Sequence, residues 1–170
     1  DELLDTFERQ KNIILLLSME GDRTETDSIR GKGIFDNINM IAGRLKNRSI
    51  LWGLSITITG QNFNYVFDET FIRKFIRQGC RVFIFVEYVP IREDSEDLVL
   101  TVQQRTFLLD SLQYFRKTFR AIFMAFPGDE EKYGGCLAAG RGFIHISAEG
   151  SVETCPFAPY SQGNLHDMEL

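Results

Sequence analysis

Short apolar runs alternate with stretches of helical spacing as far as residue 126, and this alternation limits the fold more than any other feature of the sequence. The runs are rich in β-branched and aromatic residues and predict strands at 13–17, 51–59, 82–89 and 121–126. Apolar residues recur at three- and four-residue intervals at 3–11, 34–47, 69–78 and 99–119, which predicts helices. Strict alternation of predicted strands and helices indicates βα units with parallel strands and right-handed crossovers.

Local signals support these boundaries. Asp68 is a favoured helix-capping residue type, and Gly79 stands where a left-handed residue ends a helix. Pro90 cannot donate to a sheet ladder, so the third strand is expected to end there. The run 13–17 shows no alternation, which predicts a strand buried on both faces.

Beyond Pro127 the sequence becomes rich in glycine and predicts a β-hairpin. We expect one strand at 143–147, a turn at 148–150 and a return strand at 151–154, with an irregular remainder to residue 170. The chain should therefore consist of an α/β part over 1–128 and a hairpin part over 129–170.

Four parallel strands fit two α/β folds. One is a partial, TIM-like (β/α) barrel, and the other is a complete small doubly wound domain. The strand count does not separate them. In both, an open sheet leaves two unpaired edges, from which we expect association into a homo-oligomer.

Charge and composition exclude some partners. A net charge of −5 and a pI near 5.1 disfavour nucleic acid, because binding to phosphates depends on clustered Lys and Arg. No apolar stretch reaches the roughly 20 residues of a membrane span, and no basic-then-apolar leader opens the chain. We therefore expect a cytoplasmic location and no membrane partner.

The chain opens in a helical pattern without Met, which favours a start further upstream.

The three cysteines are an odd number for a disulfide framework, so thiols or metal ligands are expected. Cys80 directly precedes a predicted core strand and is assigned to packing. Cys136 and Cys155 flank the predicted hairpin, whose ends come together, so both sulfurs are candidate ligands of one metal cluster. Two ordinary buried thiols are the alternative.

A second candidate site follows the first predicted strand, at Ser18-Met19-Glu20-Gly21. Active sites of α/β barrels form at this end of the strands. Arg30, in the loop beyond, is a candidate for binding a carboxylate, with Ser18 as a neutral donor. The alternative is a surface arginine in a polar loop. His145 is expected to face solvent or an interface.

Two groups of motifs resemble a known family. Ser18-Met19-Glu20-Gly21 and Thr26-Asp27-Ser28-Ile29-Arg30-Gly31-Lys32-Gly33 resemble the middle signature of radical S-adenosylmethionine enzymes that carry SPASM-type auxiliary clusters. Glu20 departs from the aspartate that is usual in that family. The spacing of Cys136, Gly150 and Cys155, with Gly163-Asn164-Leu165 beyond, is similar to the opening of the auxiliary-cluster domain.

The resemblance implies roles for five residues. Ser18 and Arg30 would lie near the methionyl carboxylate of S-adenosylmethionine, and Glu20 would face the substrate or the ribose. Cys136 and Cys155 would be partial ligands of an auxiliary iron-sulfur cluster. Residues 1–128 would form the C-terminal half of the radical S-adenosylmethionine barrel, and 129–170 the start of a SPASM-like segment.

The sequence contains no Cys-x-x-x-Cys-x-x-Cys triplet, which in this family holds the 4Fe-4S cluster that cleaves S-adenosylmethionine. The resemblance thus implies a fragment that is inactive alone and for which a bound cofactor is not required. The intact oxidoreductase would bind S-adenosylmethionine and 4Fe-4S clusters and abstract hydrogen from a peptide or other substrate. The alternative is a non-catalytic α/β binding or interaction domain with structural cysteines.

Overall fold

The computed structural model describes residues 2–10, 12–90 and 95–167, so the predicted parts 1–128 and 129–170 extend slightly outside the described residues. The helices are α1 (Glu2–Arg9), α2 (Arg23–Arg30), α3 (Ile34–Asn47), α4 (Phe63–Val66), α5 (Glu69–Arg77) and α6 (Val102–Thr118). The strands are β1 (Leu15–Met19), β2 (Trp52–Ile58), β3 (Val82–Glu87), β4 (Ile122–Phe126), β5 (His145–Ile146), β6 (Ser151–Cys155) and β7 (Ala158–Asn164). Short 3₁₀ segments lie at Glu96–Leu98 and Gly128–Tyr133.

Strands β1 to β4 form one parallel sheet in sequence order, which confirms the predicted α/β class. Asp68 caps α5 by accepting a 2.7 Å hydrogen bond from the N–H of Thr70. Gly79 follows the helix with a φ of 100°. Both boundary predictions at this helix are therefore confirmed.

One face of the parallel sheet carries the core. Trp52, Leu54, Ile56 and Ile58 alternate along β2 and are fully buried. The corresponding side chains of the other strands join them in one cluster with apolar residues of α3, α5 and α6. Phenylalanines make up much of this layer, and the rings of β3 and β4 stack across it. Burial on this scale is the main stabilising contribution to the fold.

The opposite face of the sheet is much less covered in the part of the chain that the structure describes. Residues Leu16, Gly53, Val82 and Ile122 are in register across the four strands on this face. Leu16 is 44% exposed and Ile122 is 55% exposed, although Val82 between them is buried. A doubly wound domain has helices on both faces of its sheet, so one-sided covering favours a partial barrel. The prediction that 13–17 is buried on both faces is wrong.

The structure also contains elements that the apolar pattern did not predict. Helix α2 occupies the stretch predicted as a polar loop, because Asp22 caps it by accepting a 2.9 Å bond from the N–H of Glu25. Strand β7 occupies part of the predicted irregular tail and pairs antiparallel with β6, making a three-stranded sheet. None of the described helices is long and apolar enough to cross a membrane.

Candidate cofactor site at the carboxyl edge of the sheet

A cavity of about 230 Å³ lies where β1, β2 and β3 end. Most of its surface is apolar, and we call it the polar cavity because many of its lining residues have polar side chains. Carboxyl ends of parallel strands converge at one edge, which is where α/β proteins bind ligands. The wall includes Glu20 after β1, Thr57 and Asn62 at the end of β2, and Tyr88 after β3. Glu25 and Ser28 of α2 also belong to the lining. The cavity thus offers carboxyl, hydroxyl and amide groups in a small volume.

Glu20 is 3% exposed and lies at the centre of this site. Its Oε1 is 2.5 Å from Nη2 of Arg30, and its backbone N–H donates a 3.2 Å bond to Oγ1 of the buried Thr26. Burial raises the pKa of Glu20 above its ordinary value, while Arg30 and hydrogen bonds from Thr57 act in the opposite direction. Glu20 is therefore a buried carboxyl group held by a cation from the next helix.

Asn62 joins the ends of two strands. Its Nδ2 donates to the carbonyl oxygens of Glu20, at 2.7 Å, and Thr57, at 2.8 Å. Its Oδ1 accepts a 2.8 Å bond from the N–H of Thr59. The sequence analysis gave Asn62 no role of its own. The signal in the sequence was an amide side chain shortly after a core strand. Such a side chain can form hydrogen bonds to backbone groups at the ends of β1 and β2.

The structure places the other predicted residues of this site in different surroundings. Arg30 lies at the end of α2 and binds the carboxylate of Glu20, a carboxylate within the protein. Ser18 lies on β1, opposite Ser55, and is half-buried. Among the described residues, neither Ser18 nor Arg30 lines the polar cavity.

Asp27 fixes the loop between α2 and α3. Its carboxylate accepts bonds of 2.9 Å from the N–H of Gly33 and 2.8 Å from that of Phe35, at the start of α3. These hydrogen bonds hold the pKa of Asp27 below its ordinary value. Asp27 thereby connects α2 to the start of α3.

Cys136 and Cys155 line a second cavity, of about 430 Å³, near the ends of β3 and β4. Both are free thiols, Cys136 exposed and Cys155 partly buried. Both cysteines therefore border one space, and their role as metal ligands stays a prediction. Across the described ranges, no three or more His, Cys, Asp or Glu side chains group in a way that could hold a metal ion.

The remaining candidates have structural surroundings. Cys80 is fully buried, and burial raises its pKa to about 12, so it stays a protonated packing residue as predicted. His145 is half-buried, and its Nδ1 lies 2.9 Å from Oε2 of Glu153 across the β5–β6 pair. The side chain of this histidine is 37% exposed and also contacts a strand partner.

A buried carboxylate that sequence reasoning did not single out, Glu87, ends β3 and lines the 430 Å³ cavity. It is 8% exposed, and its Oε2 accepts a 2.9 Å bond from Nε of Arg105 on α6. The signal in the sequence was a charged residue at the end of an otherwise apolar strand. Buried carboxylates at this edge of a sheet are candidates for ligand contact.

No protein-family model matches the chain, and no curated protein matches its sequence. Solved structures match its fold. Native anSMEcpe with bound AdoMet and the Cp18Cys peptide has a TM-score of 0.69 and 17% identity, over 99% of this chain and 52% of that one. Streptococcus suis SuiB bound to S-adenosylmethionine has a TM-score of 0.63 and 14% identity, over 90% and 39%. SuiB bound to its precursor peptide SuiA has a TM-score of 0.65 and 14% identity, over 98% and 43%.

These neighbours are radical S-adenosylmethionine enzymes with SPASM-type domains. The chain has the fold of part of such an enzyme. It spans about half the length of the neighbours or less. The radical S-adenosylmethionine fold accounts for the parallel sheet covered mainly on one face and for the separate antiparallel strands.

Proposed function

We propose that this chain is part of a radical S-adenosylmethionine oxidoreductase that reductively cleaves S-adenosylmethionine to drive hydrogen abstraction from a peptide or other substrate. Residues 1–128 supply the C-terminal half of the barrel, and 129–170 begin a SPASM-like segment. The observation that carries the proposal is the Glu20–Arg30 pair beside a polar cavity, at the carboxyl edge of a sheet with this fold.

The residues at this edge fit the polar parts of S-adenosylmethionine. Glu20 and Glu25 are acceptors for hydroxyl or ammonium groups, and Ser28, Thr57 and Asn62 add neutral hydrogen-bonding groups. Oε2 of Glu25 is buried without a hydrogen-bond partner, so a donor from a ligand would satisfy it. In this proposal Ser18 and Arg30 bind the methionyl carboxylate and Glu20 contacts the ribose or the substrate.

Cys136 and Cys155 fit an iron-sulfur cluster in part, because two thiols line one cavity and further ligands would come from elsewhere. A reduced 4Fe-4S cluster supplies the electron for S-adenosylmethionine cleavage in such enzymes. This sequence has no cysteine triplet for that cluster, so we propose that the chain alone is inactive. We further propose a cytoplasmic location and no nucleic-acid or membrane partner.

Calorimetric titration of S-adenosylmethionine into the chain tests the cofactor site. We expect S-adenosylmethionine to bind to the wild-type chain. We expect its affinity to fall about tenfold or more in Arg30→Gln and in Glu20→Gln, because each substitution removes one charge-assisted contact. Arg23→Gln is the matched control, because Arg23 pairs with Asp36 on the surface. Equal affinity in all four proteins would argue against the assignment.

Anaerobic reconstitution with iron and sulfide tests the cysteine site. With added small-molecule thiol to supply the missing ligands, we expect iron-sulfur absorbance that is lost in Cys136→Ser and in Cys155→Ser and retained in Cys80→Ala. The lack of a three-ligand group among the described residues favours a second candidate function, a non-catalytic interaction domain with structural cysteines. Absence of both iron uptake and S-adenosylmethionine binding would favour that function.

A further inference from the structure

Positive charge is concentrated at the amino edge of the parallel sheet, opposite the edge that carries the candidate cofactor site. The stretches 44–51, 74–81 and 116–121 end α3, α5 and α6 and lead into β2, β3 and β4, so they meet at that edge. Each stretch contains three Lys or Arg residues and no Asp or Glu, which places nine of the 19 basic residues of the chain there. A chain with a net charge of −5 therefore has one basic surface.

Five of these cations are exposed and form no ion pair with another residue that the structure describes. They are Lys46, Arg77, Arg81, Lys117 and Arg120. Arginines on other surfaces do form ion pairs with carboxylates, as Arg23 does with Asp36 and Arg73 does with Glu69. The charge at the amino edge is thus balanced less than the charge elsewhere.

Hydrogen bonds join these five residues, which we call the basic patch, across three neighbouring loops. Nζ of Lys46 donates a 2.9 Å bond to the carbonyl oxygen of Arg77, which links the ends of α3 and α5. The carbonyl oxygen of Arg81 accepts a 2.8 Å bond from the N–H of Ile122, two residues after Arg120. The basic patch is therefore one continuous surface.

The helix dipole explains only part of the basic patch. Cations stabilise the last turn of a helix, and Lys46, Arg77 and Lys117 lie in the last turns of α3, α5 and α6. Arg81 and Arg120 lie beyond the helices, just before β3 and β4. Like charges so close together repel one another, and an anionic partner would remove that repulsion.

Helix α1 provides an example of an anionic group bound at this edge. Its Asp5 and Glu8 are three residues apart, and both contact Nη1 of Arg48, between α3 and β2. Carboxylates three or four residues apart on a helix are separated by about 5–6 Å. Neighbouring strands, and hence the loops that enter them, are separated by about 4.8 Å. An acidic helix therefore matches both the charge and the spacing of this edge.

We propose that the basic patch binds an acidic helix of a partner protein, whose carboxylates recur at three- and four-residue intervals along one face. Nucleic acid is the less favoured anion, because its long run of phosphates would also face the acidic remainder of the chain. The inference does not rest on the proposed function, since the patch and the cavity beside Glu20 lie at opposite edges of the sheet.

Fluorescence anisotropy with the 170-residue chain tests the inference. The probe is a labelled, alanine-based peptide of about 18 residues, long enough to form a helix, with glutamates at three- and four-residue intervals along one face. The comparison peptide has the same composition, with its glutamates spread around the helix. At low salt we expect the chain to bind the one-faced peptide at least about fivefold more tightly, and we expect added salt to weaken this binding.

Arg120→Glu replaces an attraction by a repulsion, so the affinity for the one-faced peptide should fall about fivefold. Lys32→Glu makes the same change of charge in the exposed loop between α2 and α3, so it is the matched control and should bind as wild type does. If Arg120→Glu does not fold, Lys117→Glu on the last turn of α6 replaces it.

Three results would overturn the inference. The first is equal binding of the two peptides, and the second is an equal loss of affinity in the patch variant and in Lys32→Glu. The third is tighter binding of a short DNA duplex than of the one-faced peptide, which would assign the patch to phosphates. Titration of S-adenosylmethionine reports on the other edge of the sheet, so its result leaves this inference unchanged.

Discussion

Asn62 shows how one side chain holds the candidate site together. It is 4% exposed and bonds to backbone groups of Glu20, Thr57 and Thr59. Removing it leaves buried backbone groups without partners, each of which costs free energy. We expect Asn62→Ala to lower the free energy of unfolding by about 2 to 4 kcal/mol, as measured by urea denaturation.

Asn37→Ala is the control for this measurement. Asn37 is exposed on α3, where alanine has the higher helix propensity, so its replacement should be neutral or slightly stabilising. Similar losses in the two variants would show that Asn62 does not act through its buried hydrogen bonds.

Glu20 should make stability depend on pH. Burial raises its pKa above the ordinary value of 4.5, so the folded state binds the proton more tightly than the unfolded state does. The resulting stabilisation is complete below the unfolded pKa and is lost as the pH rises through the folded pKa. Unfolding free energies from about pH 4 to about pH 7 should therefore show wild type losing stability relative to Glu20→Gln.

An exposed carboxyl group provides the reference for this titration. Glu96→Gln, at an exposed position, is the reference variant measured over the same range. If wild type instead gained stability relative to Glu20→Gln with rising pH, attraction to Arg30 would outweigh the burial of Glu20.

At the residue scale the sequence predicted part of this site. The order of Ser18, Glu20 and Arg30 indicated that the end of the first strand binds a charged group. It did not indicate that Arg30 pairs with Glu20, because that contact depends on the fold of α2. Asn62 and Glu87 were not predicted, since single polar residues at strand ends resemble ordinary strand stops.

At the scale of elements, helix α6 links the third strand to the loop after the second. Thr101 and Gln104 form a capping box at its start. Nε2 of Gln104 also donates a 3.0 Å bond to the carbonyl oxygen of Gly60, and Arg105 beside it binds Glu87. The start of α6 therefore binds Gly60, next to the polar cavity, and Glu87, in the wall of the cavity that contains Cys136 and Cys155.

Replacing Gln104 should affect this junction. We expect Gln104→Ala to lower the free energy of unfolding by about 1 to 2 kcal/mol, because it removes the cap and the bond to Gly60 together. The adjacent Gln103 is exposed, and Gln103→Ala is the matched control in the same thermal or urea unfolding experiment. A loss of equal size at both positions would contradict a role for the capping box.

Elements with long apolar patterns were predicted well, and short polar ones were not. Helix α3 was predicted with its observed bounds because its apolar residues face one core. Helix α2 is eight residues long and buries only Thr26, so it leaves no apolar stripe in the sequence. Strand β7 was missed because its pairing with β6, which includes irregular register, is not visible in local composition.

At the scale of the whole molecule, the sheet is covered mainly on one face, and β1 and β4 form its two edges. Apolar side chains on the other face, such as Leu16, Ile122 and Phe126, are 39% to 55% exposed. The sequence alone could not distinguish the partial barrel from the doubly wound domain. The two folds differ in whether helices cover one face of the sheet or both. The direction of each crossover between strands decides which face its helix covers, and no single segment of the sequence reveals that direction.

The exposed face and edges predict self-association of the isolated chain, which sedimentation velocity should detect as a rise in mean mass with concentration. Ile122→Lys places a charge on this face and on an edge strand, so it should shift the chain toward monomer. Val102→Lys is the control, because Val102 is 77% exposed but lies on α6, away from the sheet face. A monomeric wild type at all concentrations, or equal association of the two lysine variants, would show that the sheet face does not mediate contact between copies. Association that only Ile122→Lys reduces would locate the contact at β4 and its neighbours.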